Sequence, residues 1–218
     1  GRSGACTVSE PLLKVRGLTV RFEQPRERLL GARPVMTAVD AVDLDVAAGQ
    51  AVGIVGESGS GKSTLARAIL GLVAAQDGTV EWRGQPVRRD DAASLKRMRR
   101  EVQVVFQDPV GSLDPRMTVG ESVAEALDAL AGPLPGAATA SRVAEALEEV
   151  GLDPALGGRY PHELSGGQCQ RAAIARAIVA RPRLLVCDEA TSALDVSVQA
   201  QIVNLLADLQ RRHGLALL

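Results

Sequence analysis

The spacing of hydrophobic residues along this chain changes several times, and each spacing predicts a different kind of secondary-structure element. Between residues 12 and 23 apolar positions alternate loosely, which indicates one or two strands. Apolar residues alternate with aspartates over 42–46, the pattern of a half-buried strand. Residues 51–55 are instead continuously apolar, which predicts a strand buried on both faces. A short hairpin is expected over 79–87, around Gly84.

Helical spacing dominates much of the remaining chain. It predicts four helices before residue 151 and a last helix that ends near Gly214; their ranges are 63–72, 94–101, 118–130, 143–150 and 198–209. Residues 132–140, which include two prolines, are expected to be a flexible connector. Short apolar strands are predicted at 102–106 and 184–187. Strands alternating with helices around a helical insert predict an α/β fold with a mostly parallel sheet.

Composition excludes several classes of protein. The chain has 218 residues, 46% of them hydrophobic, and a formal net charge of -1, so attraction to nucleic acid is not expected. The basic helix over 94–101 is interpreted as a solvated face in preference to a nucleic-acid contact. Three cysteines without metal-type spacing favour reduced thiols in the cytosol. No apolar run reaches the roughly 20 residues that span a bilayer.

A glycine-rich segment after the strand predicted at 51–55 carries the first candidate chemistry. It fits the pattern G-x-x-x-x-G-K-[ST] between a strand and a helix, which predicts a phosphate-binding loop. Lys62 would neutralise the outer phosphates, and the hydroxyl of Ser63 would bind Mg²⁺. The predicted nucleotide-binding residues are Gly56, Glu57, Ser58, Gly59, Ser60, Gly61, Lys62, Ser63 and Thr64.

Two acids follow the strand predicted at 184–187. The carboxyl ends of parallel strands form the ligand-binding edge of an α/β sheet, so Asp188 and Glu189 are expected there. Asp188 would hold Mg²⁺, and Glu189 would polarise the attacking water.

A second loop also suits a phosphate. Ser165, Gly166, Gly167 and Gln168 precede a run of helix formers, so they predict a tight loop at a helix start with its amides turned outward. One chain with two such loops predicts that two copies meet and share nucleotides.

Together with Gln107 in Val-Phe-Gln-Asp-Pro and the Ser192-Ala-Leu-Asp195 string, these motifs resemble the nucleotide-binding domain of ATP-binding cassette (ABC) proteins. The resemblance covers residues 12–218 and leaves 1–11 as a tail or linker. It implies a RecA-like P-loop NTPase core with an antiparallel β subdomain and a helical subdomain at about 108–168. It also implies ATP and Mg²⁺ as cofactors.

The resemblance assigns further roles. Two domains would dimerise head to tail, with the 165–168 loop of one, the family's signature, closing over the ATP of the other. Gln107 would contact Mg²⁺ and the attacking water. The expected catalytic residues are Gln107, Lys62 and Glu189. Asp195 would communicate across the dimer. Phe22 is expected to stack on adenine or, alternatively, to pack in the core.

Longer strings, such as 106–116 and 188–201, resemble the ATPase subunits of bacterial dipeptide, oligopeptide and nickel importers. The expected partners are a second ABC ATPase domain, transmembrane permease subunits and, indirectly, a substrate-binding protein. The expected location is the cytoplasmic face of the cell membrane. A metal importer and a soluble ABC ATPase that is not a transporter are the alternatives.

Two features depart from the family pattern. Family members carry a switch histidine on a strand after the last helix, and this chain stops before that point, so truncation is expected and hydrolysis by this polypeptide is in doubt. Cys169 follows the signature where relatives carry a polar residue. It is interpreted either as a small residue packed in a helix or as a thiol exposed near the dimer interface.

Overall fold

The computed structural model describes residues 10–23, 34–190 and 195–218. Most of the tail expected at 1–11 lies outside the described residues, as do residues 192–194 of the Ser192-Ala-Leu-Asp195 string. None of the helices in the described ranges combines the length and hydrophobicity needed to cross a bilayer. Two units divide the chain, Gly1–Met98 and Arg99–Leu218, and each is taken by itself.

The first unit is built on an antiparallel sheet with the strand order β2-β1-β3-β4. Its elements are β1 (Leu13–Glu23), β2 (Val35–Val46), α1 (Lys62–Ile69), β3 (Asp77–Trp82), β4 (Gln85–Pro86) and α2 (Ala92–Glu101), which ends just past the unit boundary. The antiparallel subdomain and the hairpin around Gly84 are confirmed. Since β2 begins at Val35, this strand is longer than the predicted 42–46.

The core of this unit lies under β1. Leu13, Val15 and Val20 are fully buried there, while the strand ends in exposed residues. The register of β1 against β2 shifts between Val15 and Leu18, around Gly17 with φ 58°. Glycine adopts this left-handed conformation without steric cost, so the bulge can change which side chains of β1 face the core.

The prediction of a buried strand at 51–55 is wrong. Residues 52–55 have no strand pairing, and Val55 is 97% exposed. A strand buried on both faces needs neighbours along both edges, and neither sheet in the described residues includes this segment. Continuous hydrophobicity alone therefore did not make this segment a strand.

The second unit contains a parallel sheet with the order β5-β6-β7. Its elements are β5 (Val102–Val105), α3 (Val119–Ala131), α4 (Gly136–Glu149), α5 (Gly166–Ile178), β6 (Leu184–Cys187), α6 (Val196–His213) and β7 (Ala216–Leu217). Strands and helices thus alternate around an inserted helical part, as the sequence predicted. The boundaries 108–168 of the helical subdomain stay a prediction.

Burial explains why these segments hold together. Leu184 and Leu185 of β6 are fully buried, and Leu185 belongs to one apolar cluster with residues of α3, α4, α5 and α6. On α5, alanines and isoleucines over 172–178 are nearly all buried. Small side chains on this helix allow its neighbours to pack closely, which increases the apolar area removed from water.

The flexible connector predicted at 132–140 is wrong in its second half. Helix α4 starts at Gly136, because Pro135 (φ -55°) ends the extended stretch and its carbonyl accepts hydrogen bonds from Ala138 N (2.8 Å) and Thr139 N (3.0 Å). Proline just before a first helical turn favours the helix, and the alanines that follow are the strongest helix formers. The prolines therefore mark a helix start.

Helix α3 begins with a capping box. The hydroxyl of Thr118 accepts from Glu121 N, and the Glu121 carboxylate accepts from Thr118 N at 2.8 Å. We expect Thr118→Ala to lower the free energy of unfolding by about 1 kcal/mol, because an amide of the first turn loses its partner. Thermal unfolding measures this loss. Thr139→Ala, which removes only a hydroxyl 3.4 Å from Leu134 O, is the control; an equal loss in both variants would contradict the cap.

Candidate functional site

The phosphate-binding loop predicted at 56–64 forms the N-terminal end of α1. Gly61 is the N-cap residue, with φ 93° and ψ 4°, and no side chain caps the helix. A Cβ atom on Gly61 would lie 2.1 Å from Ala38 O, so only glycine fits this close backbone approach. Because no side chain caps this helix start, its backbone N–H groups and the positive end of the helix dipole suit an anion.

The side chain of Lys62 is hydrogen-bonded to the backbone of this loop. Its Nζ donates to Gly56 O and Glu57 O, each at 2.9 Å, and Ser60 N donates to Glu57 O at 3.2 Å. A Cβ on Gly56 would lie 2.5 Å from Ser60 Oγ, which explains a second glycine of the motif. The ammonium group therefore lies within the loop, next to the start of α1, where a phosphate would meet both.

Two predicted catalytic residues, Gln107 and Glu189, and the predicted Mg²⁺ ligand Asp188 follow neighbouring parallel strands of the second unit. Cys187 at the end of β6 pairs with Val105 at the end of β5, so Gln107, Asp188 and Glu189 lie at one edge of the sheet. Asp188 is only 8% exposed, and its N–H donates to Val105 O at 3.0 Å. Glu189 has φ 49°, a left-handed conformation that costs energy for a residue other than glycine.

The residues predicted to hold Mg²⁺ belong to both units. Ser63 is in the first turn of α1, whereas Gln107 and Asp188 lie at the sheet edge of the second unit. Their hydroxyl, amide and carboxylate oxygens are the donor types that Mg²⁺ prefers, and this ion usually takes few protein ligands besides phosphate and water. Each residue therefore offers an oxygen of a kind that Mg²⁺ binds, and a shared Mg²⁺ site stays a prediction.

The signature segment forms the start of α5. Ser165 is the N-cap residue: its hydroxyl accepts from Gln168 N at 3.3 Å, and Ser165 N donates to Gln168 Oε1 at 2.9 Å. Because a hydroxyl also carries a donor hydrogen, Ser165 can still donate to an anion. A Cβ on Gly167 would lie 3.0 Å from Val198 Cγ1, so a residue larger than glycine would press on α6.

Asp195 caps α6. Its carboxylate accepts from Val198 N at 2.9 Å and from Ser197 Oγ at 2.8 Å. These hydrogen bonds, the one from Val198 first, lower the pKa of Asp195. The residue therefore carries a capping function within its own chain, and its role in dimer communication stays a prediction.

Phe22 does not pack in the core. It lies near the end of β1 opposite Met36, and it is 38% exposed. The core-packing alternative is thus not supported, and stacking on adenine stays a prediction.

The two cysteines that the structure describes are unlike reactive thiols. Cys169 is 1% exposed, its Sγ donates to Pro161 O at 3.3 Å, and burial raises its pKa. Burial also raises the pKa of the Cys187 thiol, to about 12. The interpretation of Cys169 as a small residue packed in a helix is therefore supported over the exposed thiol.

Sequence reasoning missed two arginines that link α4 to α5, the helix that begins with the signature segment, across more than 20 positions of the chain. Arg142 on α4 donates from Nε to Val179 O at 2.8 Å. Arg171 on α5 donates from Nη1 to Val150 O at 2.6 Å. No local pattern indicates either contact, because both partners are backbone carbonyls more than a helix away.

A glycine-rich phosphate loop at a helix start, acids at the edge of a parallel sheet and an antiparallel subdomain define a P-loop nucleotide-binding protein of the α/β class. Solved structures share this fold. The ADP- and Pi-bound dimer of the ATP-binding cassette MJ0796 matches with a TM-score of 0.80 and 31% identity, over 94% of this chain and 85% of that one. CbiO1 of Clostridium perfringens matches with a TM-score of 0.78 and 28% identity, over 96% and 77%.

The family model described as "ABC transporter" matches residues 39–192, and the chain belongs to this family. It is 48% identical to the oligopeptide transport ATP-binding protein OppF of Haemophilus influenzae over 96% of its own length. It is 49% identical to the glutathione import ATP-binding protein GsiA of Escherichia coli K12, also over 96%. The chain spans 64% of that OppF and 33% of that GsiA.

The close approach at Gly61 leads to a prediction about nucleotide binding. We expect Gly61→Ala to weaken binding of a fluorescent ATP analogue at least tenfold, because the added Cβ must displace Ala38 O and the backbone must leave φ 93°. Gly84→Ala is the matched control, since Gly84 also has a positive φ (71°) but nothing within 4 Å of its Cβ. Equal binding by both variants and the parent would contradict this account of the loop.

The raised thiol pKa values predict slow alkylation in the folded protein. With Cys6 replaced by serine, we expect Cys169 and Cys187 to react with iodoacetamide at pH 8 at least a hundredfold more slowly than in urea. A thiol with a pKa of about 12 has about one molecule in 10⁴ as thiolate at that pH, and only the thiolate reacts. Mass spectrometry of each cysteine peptide measures the rates, and fast labelling of folded Cys169 would contradict its burial.

Proposed function

We propose that this chain is the ATP-binding and ATP-hydrolysing part of a bacterial peptide-type importer, and that it works by ATP-driven, head-to-tail dimerisation. The observation that carries the proposal is that α1 and α5 each begin at one of the two glycine-containing segments expected to meet a phosphate, with Gly61 and Ser165 as their N-cap residues. The segment at α1 includes the Lys62 ammonium, and the segment at α5 includes the Ser165 hydroxyl.

In a dimer, the 165–168 segment at the start of α5 can bind the nucleotide of the partner. The loop at 56–64 already supplies lysine, backbone amides and Ser63 for one nucleotide, so the 165–168 segment is not needed for the same phosphates. In a head-to-tail pair, this segment of one protomer completes the ATP site of the other. The Ser165 hydroxyl and the helix dipole of α5 then stabilise negative charge on the terminal phosphate.

The roles of the site residues follow from their chemistry. Lys62 binds the outer phosphates, and Glu189 holds the attacking water and accepts its proton. Ser63, Asp188 and Gln107 are the residues that would hold Mg²⁺, which neutralises phosphate charge when it is bound. The strained backbone of Glu189 is supported by its neighbour Asp188, whose amide is bonded to β5.

A surface next to Gln107 suits a permease. A cavity of about 250 Å³ is lined mostly by apolar residues of β5, α3 and α5, together with Gln103 and Arg176. Another of about 500 Å³ is lined largely by polar residues around Asp114 and Arg116. A permease segment seated there would contact the same chain stretch that holds Gln107. In this scheme the ATPase pair acts at the cytoplasmic face of the membrane, with two permeases and a substrate-binding protein beyond them.

The substrate class is inferred from the relatives. At 48–49% identity, the OppF and GsiA proteins are named for oligopeptide transport and glutathione import. Peptide import is therefore favoured over the metal-importer alternative. Co-purification with ribosomes in place of permeases would favour the alternative of a soluble ABC ATPase.

The proposal predicts how Glu189→Gln behaves. Removal of the general base should lower kcat for ATP hydrolysis by about 10²- to 10⁴-fold. Because bound ATP then persists, the variant should become a stable dimer with ATP and stay monomeric with ADP. Light scattering after size-exclusion chromatography measures both states.

The double variant Lys62→Ala, Glu189→Gln is the matched control. It lacks the phosphate-binding ammonium, so it should stay monomeric with ATP. If Glu189→Gln binds ATP with unchanged affinity and remains a monomer, the shared-site mechanism is wrong.

A further inference from the structure

Two arginines link α5 to its neighbouring helices. Arg142 of α4 contacts the C-terminal end of α5, and Arg171 of α5 itself contacts α4 and α6 from the N-terminal half of α5. At its C-terminal end, Arg142 of α4 donates from Nε to Val179 O (2.8 Å) and from Nη2 to Ile178 O (3.4 Å). Carbonyls at the end of a helix have no partner within the helix, so a guanidinium satisfies them and opposes the negative end of the dipole. Arg142 thus anchors α5 to α4.

The guanidinium of Arg142 is itself fixed. Its side chain is only 13% exposed, and Nη1 lies 2.8 Å from Glu145 Oε2 and 3.4 Å from Glu149 Oε1. Both carboxylates are on α4, so they hold the arginine on its own helix while Nε and Nη2 reach α5. The planar guanidinium is bound both by these carboxylates and by the carbonyls of α5, so it has little freedom to rotate. Its contact with α5 therefore has a defined direction.

Arg171 joins three helices one turn after the signature segment. From α5, its Nη1 donates to Val150 O, the C-cap residue of α4, at 2.6 Å. Its Nη2 donates to Gln201 Oε1 on α6 at 3.2 Å. The same side of α5 approaches α6 at Gly167, which lies against Val198. The starts of α5 and α6, capped by Ser165 and Asp195, are therefore held next to each other.

We propose that Arg142 and Arg171 are positioning residues for the signature segment, fixing the direction in which the start of α5 presents Ser165 to the partner's nucleotide. This inference rests on the proposed function. Neither arginine touches the nucleotide in this scheme. Each acts through α5, so each should affect dimer closure without affecting ATP binding at the loop over 56–64.

The test compares Arg142→Met and Arg171→Met in the Glu189→Gln background. We expect each to raise the Kd of the ATP-bound dimer at least tenfold, while the affinity for a fluorescent ATP analogue changes less than twofold. Arg211→Met is the matched control, because Arg211 pairs only with Asp208 on its own exposed helix face among the described contacts. An unchanged dimer Kd in both variants, or an equal loss of ATP affinity, would overturn the proposal.

Hydrogen exchange without nucleotide gives a readout that needs no dimer. Amides of Gln168 and Cys169 should exchange at least tenfold faster in Arg142→Met and Arg171→Met, with the amides of α1 unchanged. If the parent Glu189→Gln chain fails to dimerise, the proposed function fails, and this exchange still decides the positioning role. Faster exchange in α1 as well would show general destabilisation and overturn it.

Lysine variants test whether the effects of the methionine variants come from loss of the forked hydrogen bonds and not from misfolding. Arg142→Lys and Arg171→Lys keep the charge and one hydrogen bond but lose the fork. They should give intermediate dimer Kd values and intermediate exchange rates. Values equal to those of the unsubstituted arginine would overturn the need for a forked contact.

Discussion

Three functional segments of this protein are helix starts, and the N–H groups of a first helical turn, which have no acceptor within the helix, are the constraint on which the site depends. Where a side chain accepts from these groups, the helix is stabilised from within, as Ser165 does for α5 and Asp195 for α6. Gly61 at the start of α1 supplies no such side chain. The start of α1 therefore suits an anion through its helix dipole, and Lys62 adds the matching charge.

The caps also explain how one residue serves two purposes. Ser165 accepts a hydrogen bond from the backbone of Gln168, yet its own hydroxyl hydrogen can be donated. The side-chain oxygen of Gln168 in turn accepts a hydrogen bond from Ser165 N, so the segment has a defined shape before any partner arrives. Such preorganisation lowers the entropic cost of forming a shared nucleotide site.

Most of the fold could be predicted from the sequence. Helices, the β3–β4 hairpin and the parallel strands β5 and β6 follow from periodicity, and the capping box at Thr118 follows from local chemistry. Two local predictions were wrong. The run at 51–55 has the composition of a buried strand but no partner strands, and the prolines before Gly136 start a helix that was expected to be a connector.

The sequence by itself determined the phosphate loop, the acids after β6 and the signature segment, because each depends on residues that are neighbours in the chain. Only the tertiary structure decided which contacts between helices hold the signature segment in place. The contacts of Arg142 with Val179 and of Arg171 with Val150 join carbonyls and guanidinium groups from different helices. Backbone carbonyls are present at every residue, so no pattern of side chains can reveal which one an arginine will reach. Only the packing of α4, α5 and α6 selects these partners.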